Sequence, residues 1–553
     1  REDIDIYFAR RLVMERLSDA REAIPAGLAT PEMGPIATGL GEIFQFKVAG
    51  GVLSPMELRS ILDWQIATKL RTVPGIVEVN PQGGELKTYE VQVDNNKLMA
   101  YRVTLETVIN ALQRNNSNAG GAYLERAEQQ SVIRGEGLIT SLADIENIVI
   151  GVSPSGTPVL VRNIAQVQFA PMVRQGFATQ DGKGEIVVGV AMMLIGENPR
   201  VVVDRVKAKL DDIQKTLPRG VRIVPLYDRT DLVRRTIGTV SRNLIEGGLL
   251  VIAVLLLLLG SFRGGLVVAT AIPLSMLAAF TGMVEANISG NLMSLGAIDF
   301  GLIVDGSVVM VENILRRLAA RKADEDVMDV VKSAAQQVAR PIFFGVLIIV
   351  LVYVPVLTLT GTEGKMFRPM ALTVLFALTA SLAIALFLMP VLTWFAFRRD
   401  QHGAEKQTWV MRQFHRLYRP TLDLAVRFPK LTFALAAGVF AVSLVGIPFI
   451  GTEFMPRLDE GSIVVEMFRL PGISVTESLH GNQIVETVLR EFPEVQTVFC
   501  RTGSPEVATD PMALDQSDVY VMLKPLSEWP RKRTKDDLIA AMGARLSQEA
   551  PGA

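Results

Sequence analysis

Six stretches of this chain, at about residues 236–259, 266–284, 291–315, 341–358, 369–397 and 431–450, stay apolar over close to the ~20 residues a helix needs to cross a bilayer. No other feature limits the fold as strongly. In hydrocarbon every backbone N–H and C=O must find its partner inside the protein, so segments of this length are predicted to be helices. Pro273 and Pro355 fall inside spans and Pro390 towards the end of one, which membrane helices tolerate. The chain has 553 residues, 49% of them apolar. Its mean hydropathy of +0.32 averages a membrane-like middle with two polar, globular flanks. Basic residues orient the spans. The loop after the third carries Arg316, Arg317, Arg321, Lys322, Lys332 and Arg340, and the loop after the fifth carries Arg398, Arg399, Lys406, Arg412, Arg416, Arg419, Arg427 and Lys430. The intervening turns hold few or none, so the basic loops are expected in the cytoplasm and both flanks outside it.

The third span is unusual because it contains Asp299, Asp305 and Glu312. An acidic side chain at the centre of a membrane helix costs roughly 2.5–3.5 kcal/mol, so these three must face protein or water, and ionisable groups so placed are a functional hypothesis by default. At about 100° per residue Asp305 and Glu312 lie on nearly one face, about 10 Å apart along the axis. Asp299 is about 9 Å from Asp305 the other way and roughly a third of a turn round. The three form a ladder of proton-accepting groups and are the candidate proton relay. The competing reading for Glu312 is a local cap or pair beside Asn313 and Arg316.

Both flanks mix helical and strand patterns, which points to α+β domains. In the first, residues 54–72 read as a helix and residues 88–93 and 185–193 as strands, separated by turns such as Asp181-Gly182-Lys183-Gly184. The second echoes the first: Leu70-Arg71-Thr72-Val73-Pro74 is matched by Leu489-Arg490-Glu491-Phe492-Pro493, which suggests a duplicated unit. Residues 405–428, where Trp409, Phe414, Leu417, Tyr418 and Leu422 alternate with arginines, read as an amphipathic helix on the membrane surface or packed on the bundle. A net charge of −1 gives no field for nucleic acid. The single Cys500 excludes disulfides within one chain and is expected to be buried, while His402, His415 and His480 are too scattered for a local metal motif. Met192 and Met193 alternate across a strand and are expected to be core. Arg531-Lys532-Arg533 is expected to be a solvated turn. In the loop at 506–518, Asp510, Asp515 and Asp518 are close in sequence, and carboxylate oxygens bind Zn²⁺ at about 2.0–2.2 Å. The competing reading is a polar loop with an Asp-Pro turn.

These features together resemble the resistance-nodulation-division (RND) transporters, and within them the heavy-metal efflux branch that exports cobalt, zinc, cadmium and nickel. The motifs that carry the resemblance are Asp-Phe-Gly-Leu-Ile-Val-Asp-Gly-Ser-Val-Val-Met-Val-Glu-Asn at 299–313, Pro-Glu-Met-Gly-Pro-Ile-Ala-Thr-Gly-Leu-Gly-Glu-Ile at 31–43, Glu-Val-Ala-Thr-Asp-Pro-Met at 506–512 and Tyr-Asp-Arg-Thr at 227–230. It implies an RND-type fold fragment: an α-helical transmembrane bundle plus α+β, ferredoxin-like βαβ periplasmic porter and docking subdomains. Residues 1–34 would end the first porter subdomain, 35–82 and 179–230 would form the second, and 83–178 would be a channel-docking insertion. Residues 231–450 would form the transmembrane domain and 451–553 the start of the third porter subdomain. The six spans would be the family's second through seventh, the rest of a longer protein lying outside this chain.

The resemblance further implies a metal/proton antiporter of the bacterial inner membrane, not an enzyme, with large periplasmic domains. It would be a homotrimer working with a periplasmic adaptor and an outer-membrane channel, without nucleic acid and without a cofactor beyond the transported divalent ion and the coupling protons. Asp510 and Asp518 are the ligands it favours, with Asp515 beside them. The copper and silver branch has an apolar residue at the position of Asp299 and alanine at that of Gly306. Its soft-metal methionine corresponds to Gln516, with Met512 nearby. Carboxylates in place of a thioether favour borderline divalent ions over Cu(I). The alternatives are an RND pump for organic compounds, against which stand 7% aromatic residues and an acidic loop, and a membrane protein-translocation or assembly factor.

Overall fold

The computed structural model describes residues 4–25, 28, 30–37, 41–153, 156–286, 288, 296, 300–322, 325–398, 409–449, 461–505, 511–530 and 533–550. Two compact units emerge: Val13–Leu232 with Asp459–Ala553, built on a sheet, and Arg1–Leu12 with Val233–Leu458, built of helices.

The sheet unit has eight principal strands: β1 (Glu42–Gly50), β2 (Ile76–Gln82), β3 (Gly176–Gln180), β4 (Glu185–Met193), β5 (Val221–Asp228), β6 (Ser462–Phe468), β7 (Val495–Gly503) and β8 (Gln516–Leu523). They run in the order β5-β1-β4-β3-β7-β8-β6, with β2 also on β4, and every pairing is antiparallel. Strand β4 is rich in β-branched residues and is buried from Val187 to Met193. Met192 and Met193 are core, as expected. Gly189 lies opposite Phe46 of β1, and a Cβ there would come within 2.4 Å of the Phe46 ring. Helical residues 55–70 start at a capping box between Ser54 and Glu57. The Pro199–Gln214 helix buries Val202, Val203, Val206, Leu210 and Ile213, spaced as one helical face, in the same core.

The sequence echo is reproduced in bonding. Val73 and Phe492 donate backbone hydrogen bonds to Leu70 and Leu489, and Ile76 and Val495 donate to Val73 and Phe492. The residues after each proline begin strands, β2 and β7, which the sequence pattern does not mark, while the expected strand at residues 88–93 is present as Lys87–Val93. The two flanks also share one sheet through β3 and β7, with Thr179 opposite Cys500. Between β2 and β3 the chain forms a part with its own core around Val108, Ile145, Val161 and Ile164, and a hairpin of Ala119–Arg126 and Gln129–Gly135 exposed along its length.

In the helical unit five helices among the described residues are long and apolar enough to cross a membrane: Ile237–Leu259, Phe262–Glu285, Val327–Thr358, Glu363–Phe397 and Pro429–Gly446. Residues 291–295 and 297–299 of the expected third span lie outside the described residues, which resume it as the Phe300–Ala319 helix. The fourth helix begins at Val327, well before the expected residue 341, because the loop sequence ahead of Pro341 is itself amphipathic and buries Val331 and Ala334. Pro390 follows a π turn at Ile384–Leu388, whose wider winding absorbs the proline ring and its missing donor. The expected amphipathic helix is present as Trp409–Arg427, with Trp409, Phe414, Leu417 and Tyr418 exposed.

Candidate functional site

The Phe300–Ala319 helix is held on one side and open on the other. Ile303, Val304, Ser307, Met310, Val311 and Ile314 are buried in the bundle core. Gly306 lets neighbouring helices close in, since a Cβ there would be 3.0 Å from Ile342 and 3.4 Å from Ala385. The Ser381 hydroxyl donates to the Ile303 carbonyl, tying in a second helix. At the basic end, Asn313 donates to the Ala334 carbonyl at 2.9 Å and accepts from Arg316 at 2.9 Å. Arg316 therefore turns to Asn313, and Glu312 makes no ion pair among the described residues. The opposite face carries Gly301, Asp305, Val309, Glu312 and Arg316, all exposed and each three or four residues from the next. Asp305 and Glu312 thus share one stripe, as the helical spacing predicts. Asp299 lies outside the described residues.

The candidate metal loop resolves differently. Asp510 lies outside the described residues. Asp515 sits in the turn before β8, where its carbonyl accepts from the Arg469 backbone N–H at 2.8 Å. Asp518 lies within β8, opposite Glu466 of β6 and Arg501 of β7. Arg501 is buried and donates to Glu42 at 2.7 Å. Burial works against its charge, yet Tyr520, Glu42 and Asp518 hold its pKa above the ordinary value. Asp518 therefore stands in the field of a buried guanidinium. No group of three potential ligands able to hold a metal occurs among the described residues. Gln516 is half-buried at the start of β8, opposite Phe468, and Met512 is anchored by its backbone to the Ser504 hydroxyl. A cavity of about 230 Å³ opens where this loop begins, lined in part by Arg59, Gln82, Arg174, Ser504 and Pro505.

One set of residues escaped the sequence reading. The Val475–Arg490 helix buries Ser478, Asn482 and Glu486 against the sheet. Asn482 donates to Thr502 at 2.9 Å and to Thr179 at 3.3 Å, and the Thr502 and Ser517 hydroxyls are 2.6 Å apart. Buried Arg469 donates to Ser478, Ser517 and Asn482, and burial lowers its pKa. Glu486 accepts from the Thr179 hydroxyl at 2.5 Å and from the Gly182 N–H at 2.7 Å. Burial pushes its carboxyl from 4.5 up to about 7, although those two hydrogen bonds pull the other way. Cys500 beside it is fully buried, as expected, and burial pushes its thiol well up. The signal available in sequence was the i, i+4, i+8 spacing of Ser478, Asn482 and Glu486, a polar stripe rather than an apolar one. Arg533 also departs from expectation. It is largely buried against the fully buried Glu494 at 2.7 Å, not solvated, because that carboxylate needs a counter-charge; residues 531 and 532 lie outside the described residues.

The profile of the AcrB/AcrD/AcrF family matches residues 1–552. The chain is 44% identical over 564 residues to protein HelA of Legionella pneumophila, an alignment that covers 99% of this chain and 53% of that protein. It is 43% identical over 558 residues to the cobalt-zinc-cadmium resistance protein CzcA of Cupriavidus metallidurans, covering 97% and 52%. Against the cation efflux system protein CusA of Escherichia coli K12 the identity is 35% over 547 residues, covering 97% and 52%. A crystal structure described as a heavy metal efflux pump, crystal form II, superposes with a TM-score of 0.88 at 35% identity, covering 100% of this chain and 53% of that one. The chain spans about half the length of the curated relatives it matches.

Proposed function

The chain belongs to the AcrB/AcrD/AcrF family of RND transporters, and on that footing we propose that the full-length protein is a proton-driven exporter of divalent heavy-metal cations, a secondary transporter and not an enzyme. The observation that carries this is the stripe of Asp305 and Glu312 on a helix otherwise packed in a membrane-type bundle. Carboxylates on the open face of such a helix need a partner surface or water, and a proton is the ion that lets them exist in an apolar setting. In this reading protons reach Asp299, Asp305 or Glu312 from the periplasm and leave towards the basic loops. A membrane potential of 100 mV supplies about 2.3 kcal/mol per proton moved across. The face bearing Asp305 and Glu312 is completed by helices of the longer protein.

Cobalt, zinc, cadmium and nickel are the favoured substrates, supported by the relatives named for cobalt, zinc and cadmium and for nickel and cobalt. The ligands proposed are Asp510 and Asp518, with Asp515 beside them; Asp518 also stands in the field of Arg501. Localisation in the inner membrane, periplasmic exposure of the sheet unit, ferredoxin-like porter subdomains with the 83–178 docking insertion, a homotrimer, and an adaptor and outer-membrane channel as partners all belong to the same proposal. The test is growth of a pump-deficient bacterium expressing the full-length protein on graded zinc, cobalt, nickel, cadmium and copper. Protection against one or more of the first four is expected. Protection against copper alone would overturn the divalent assignment, and protection only against organic toxicants would favour a drug pump.

A further inference from the structure

The turn at residues 181–184 joins β3 to β4 and is clasped by the C-terminal flank from both sides. Asp181 has φ of +55° and Gly182 of +70°, and a Cβ on Gly182 would come within 2.4 Å of the Thr487 hydroxyl. The Asp181 carboxylate accepts from the Val498 N–H at 3.0 Å and the Thr497 hydroxyl at 3.0 Å, and pairs with Arg490 at 3.2 Å. In return Glu486 accepts from Thr179 and from the Gly182 N–H. Asp181 is partly exposed and has a cationic partner. Glu486 is fully buried, and no ion pair involving it occurs among the described residues.

We propose that Glu486 is a proton-operated latch that fastens the 181–184 turn, and with it β3 and β4, to the C-terminal half of the sheet. Protonated, Glu486 stays in its site, with one oxygen accepting from Gly182 and the other donating to the Thr179 oxygen while the threonine hydroxyl turns away. Ionised, it is an uncompensated charge in a dry core. The charged groups around it do not supply a counter-ion. From the turn, Asp181 repels it and is itself held by Arg490. From β7 comes the neutral Cys500 thiol, and from the end of β6 comes Arg469, spent on Ser478, Ser517 and Asn482. The Lys535–Glu549 helix packs on the same helix, with its Arg545 engaged by Glu491 and Glu549.

The sign follows from linkage. The carboxyl is raised from 4.5 to about 7 when docked, so the docked state keeps a proton that an undocked one has lost. Docking is therefore strongest at low pH and weakens as pH rises from 4.5 through about 7. The latch would close when the surroundings acidify. It is independent of the proposed metal transport and survives if that reading fails.

The chain carries its own reporter, since Cys500 is its only cysteine and is fully buried beside Glu486. The experiment uses the full chain in lipid nanodiscs and compares wild type with Glu486→Gln, a neutral isostere. Maleimide labelling of Cys500 and hydrogen exchange of the peptides spanning residues 176–186 are followed at about pH 5.5 and pH 8. Comparison at equal pH removes the intrinsic pH dependence of both reactions. At pH 8 the wild type should label and exchange about a hundredfold or more faster than Glu486→Gln, one pK unit being tenfold, and the gap should narrow to about tenfold at pH 5.5, closing only below 4.5, where the undocked carboxyl is protonated too. Equal rates at pH 8, or a difference that persists unchanged at pH 5.5, would overturn the latch. A titration of the wild type alone keeps the proposal falsifiable if Glu486→Gln misfolds. Scaled to an unstructured cysteine peptide at each pH, Cys500 labelling should rise from pH 5.5 to pH 8 and fall again on re-acidification. A ratio that stays flat counts against the proposal.

Discussion

Asp305 and Glu486 are both carboxylates on helices, and the protein treats them oppositely. Asp305 lies on the exposed stripe of the Phe300–Ala319 helix, where no hydrogen bond or ion pair engages it among the described residues. Glu486 is sealed in the sheet unit with Thr179, Gly182 and Cys500 around it. The first is conspicuous in sequence because every residue near it is apolar. The second is invisible there because a glutamate on a mixed helix reads as surface. An acid that contributes nothing to the packing of its own unit is free to serve transport, whereas acids built into the interior make stability depend on their charge state.

That contrast can be broken at three points. The largest effect expected is on transport: Asp305→Asn in the full-length protein should reduce metal-dependent proton flux in proteoliposomes to background. The same change should leave unfolding free energy within about 0.5 kcal/mol, as for surface substitutions. Retained flux would remove Asp305 from the relay, and a loss of several kcal/mol would show that the stripe is structural. The next effect is on stability alone. Arg533→Ala strands the buried Glu494 and should destabilise the sheet unit by about 3–5 kcal/mol, measured by denaturant unfolding, while the spectroscopic signal of the membrane helices holds. A change below about 1 kcal/mol would mean that Glu494 is neutralised by other means. The smallest is Gly189→Ala. It involves no charge and should cost about 1–3 kcal/mol by forcing the buried Phe46 ring aside. A Gly189→Ala loss equal to that of Arg533→Ala would show that packing, not buried charge, governs this unit.

Much of this architecture is legible in sequence where a local rule suffices. The β4 strand agrees with its continuous apolar, β-branched run, the 55–70 helix with its Ser54 cap, and the Trp409–Arg427 helix with its aromatic and basic stripe. Span length is set by bilayer thickness, so the apolar runs could be recognised without any knowledge of their neighbours. What stayed hidden depends on contacts across the chain. Nothing near Thr179 indicates that Cys500 will lie opposite it, because strand pairing is decided by which edges are left when the rest has packed. The polar stripe of Ser478, Asn482 and Glu486 is hidden because polar residues at helical spacing read as a solvent-facing surface until the sheet they pack against is known. Arg533 looked solvated because its partner Glu494 sits on a different element.

The continuity of the sheet from β3 to β7 bears on how the molecule is made. Strand β3 is synthesised long before β7, and the whole membrane segment is translated between them. At 5–20 residues per second that interval is roughly a quarter of a minute to a minute. During it the N-terminal flank has a finished hairpin of β3 and β4 whose outer edge is unpaired, the kind of edge that recruits foreign strands. The closed arrangement must therefore be reached after insertion of the helices, and the nascent flank needs shielding until the last strands emerge.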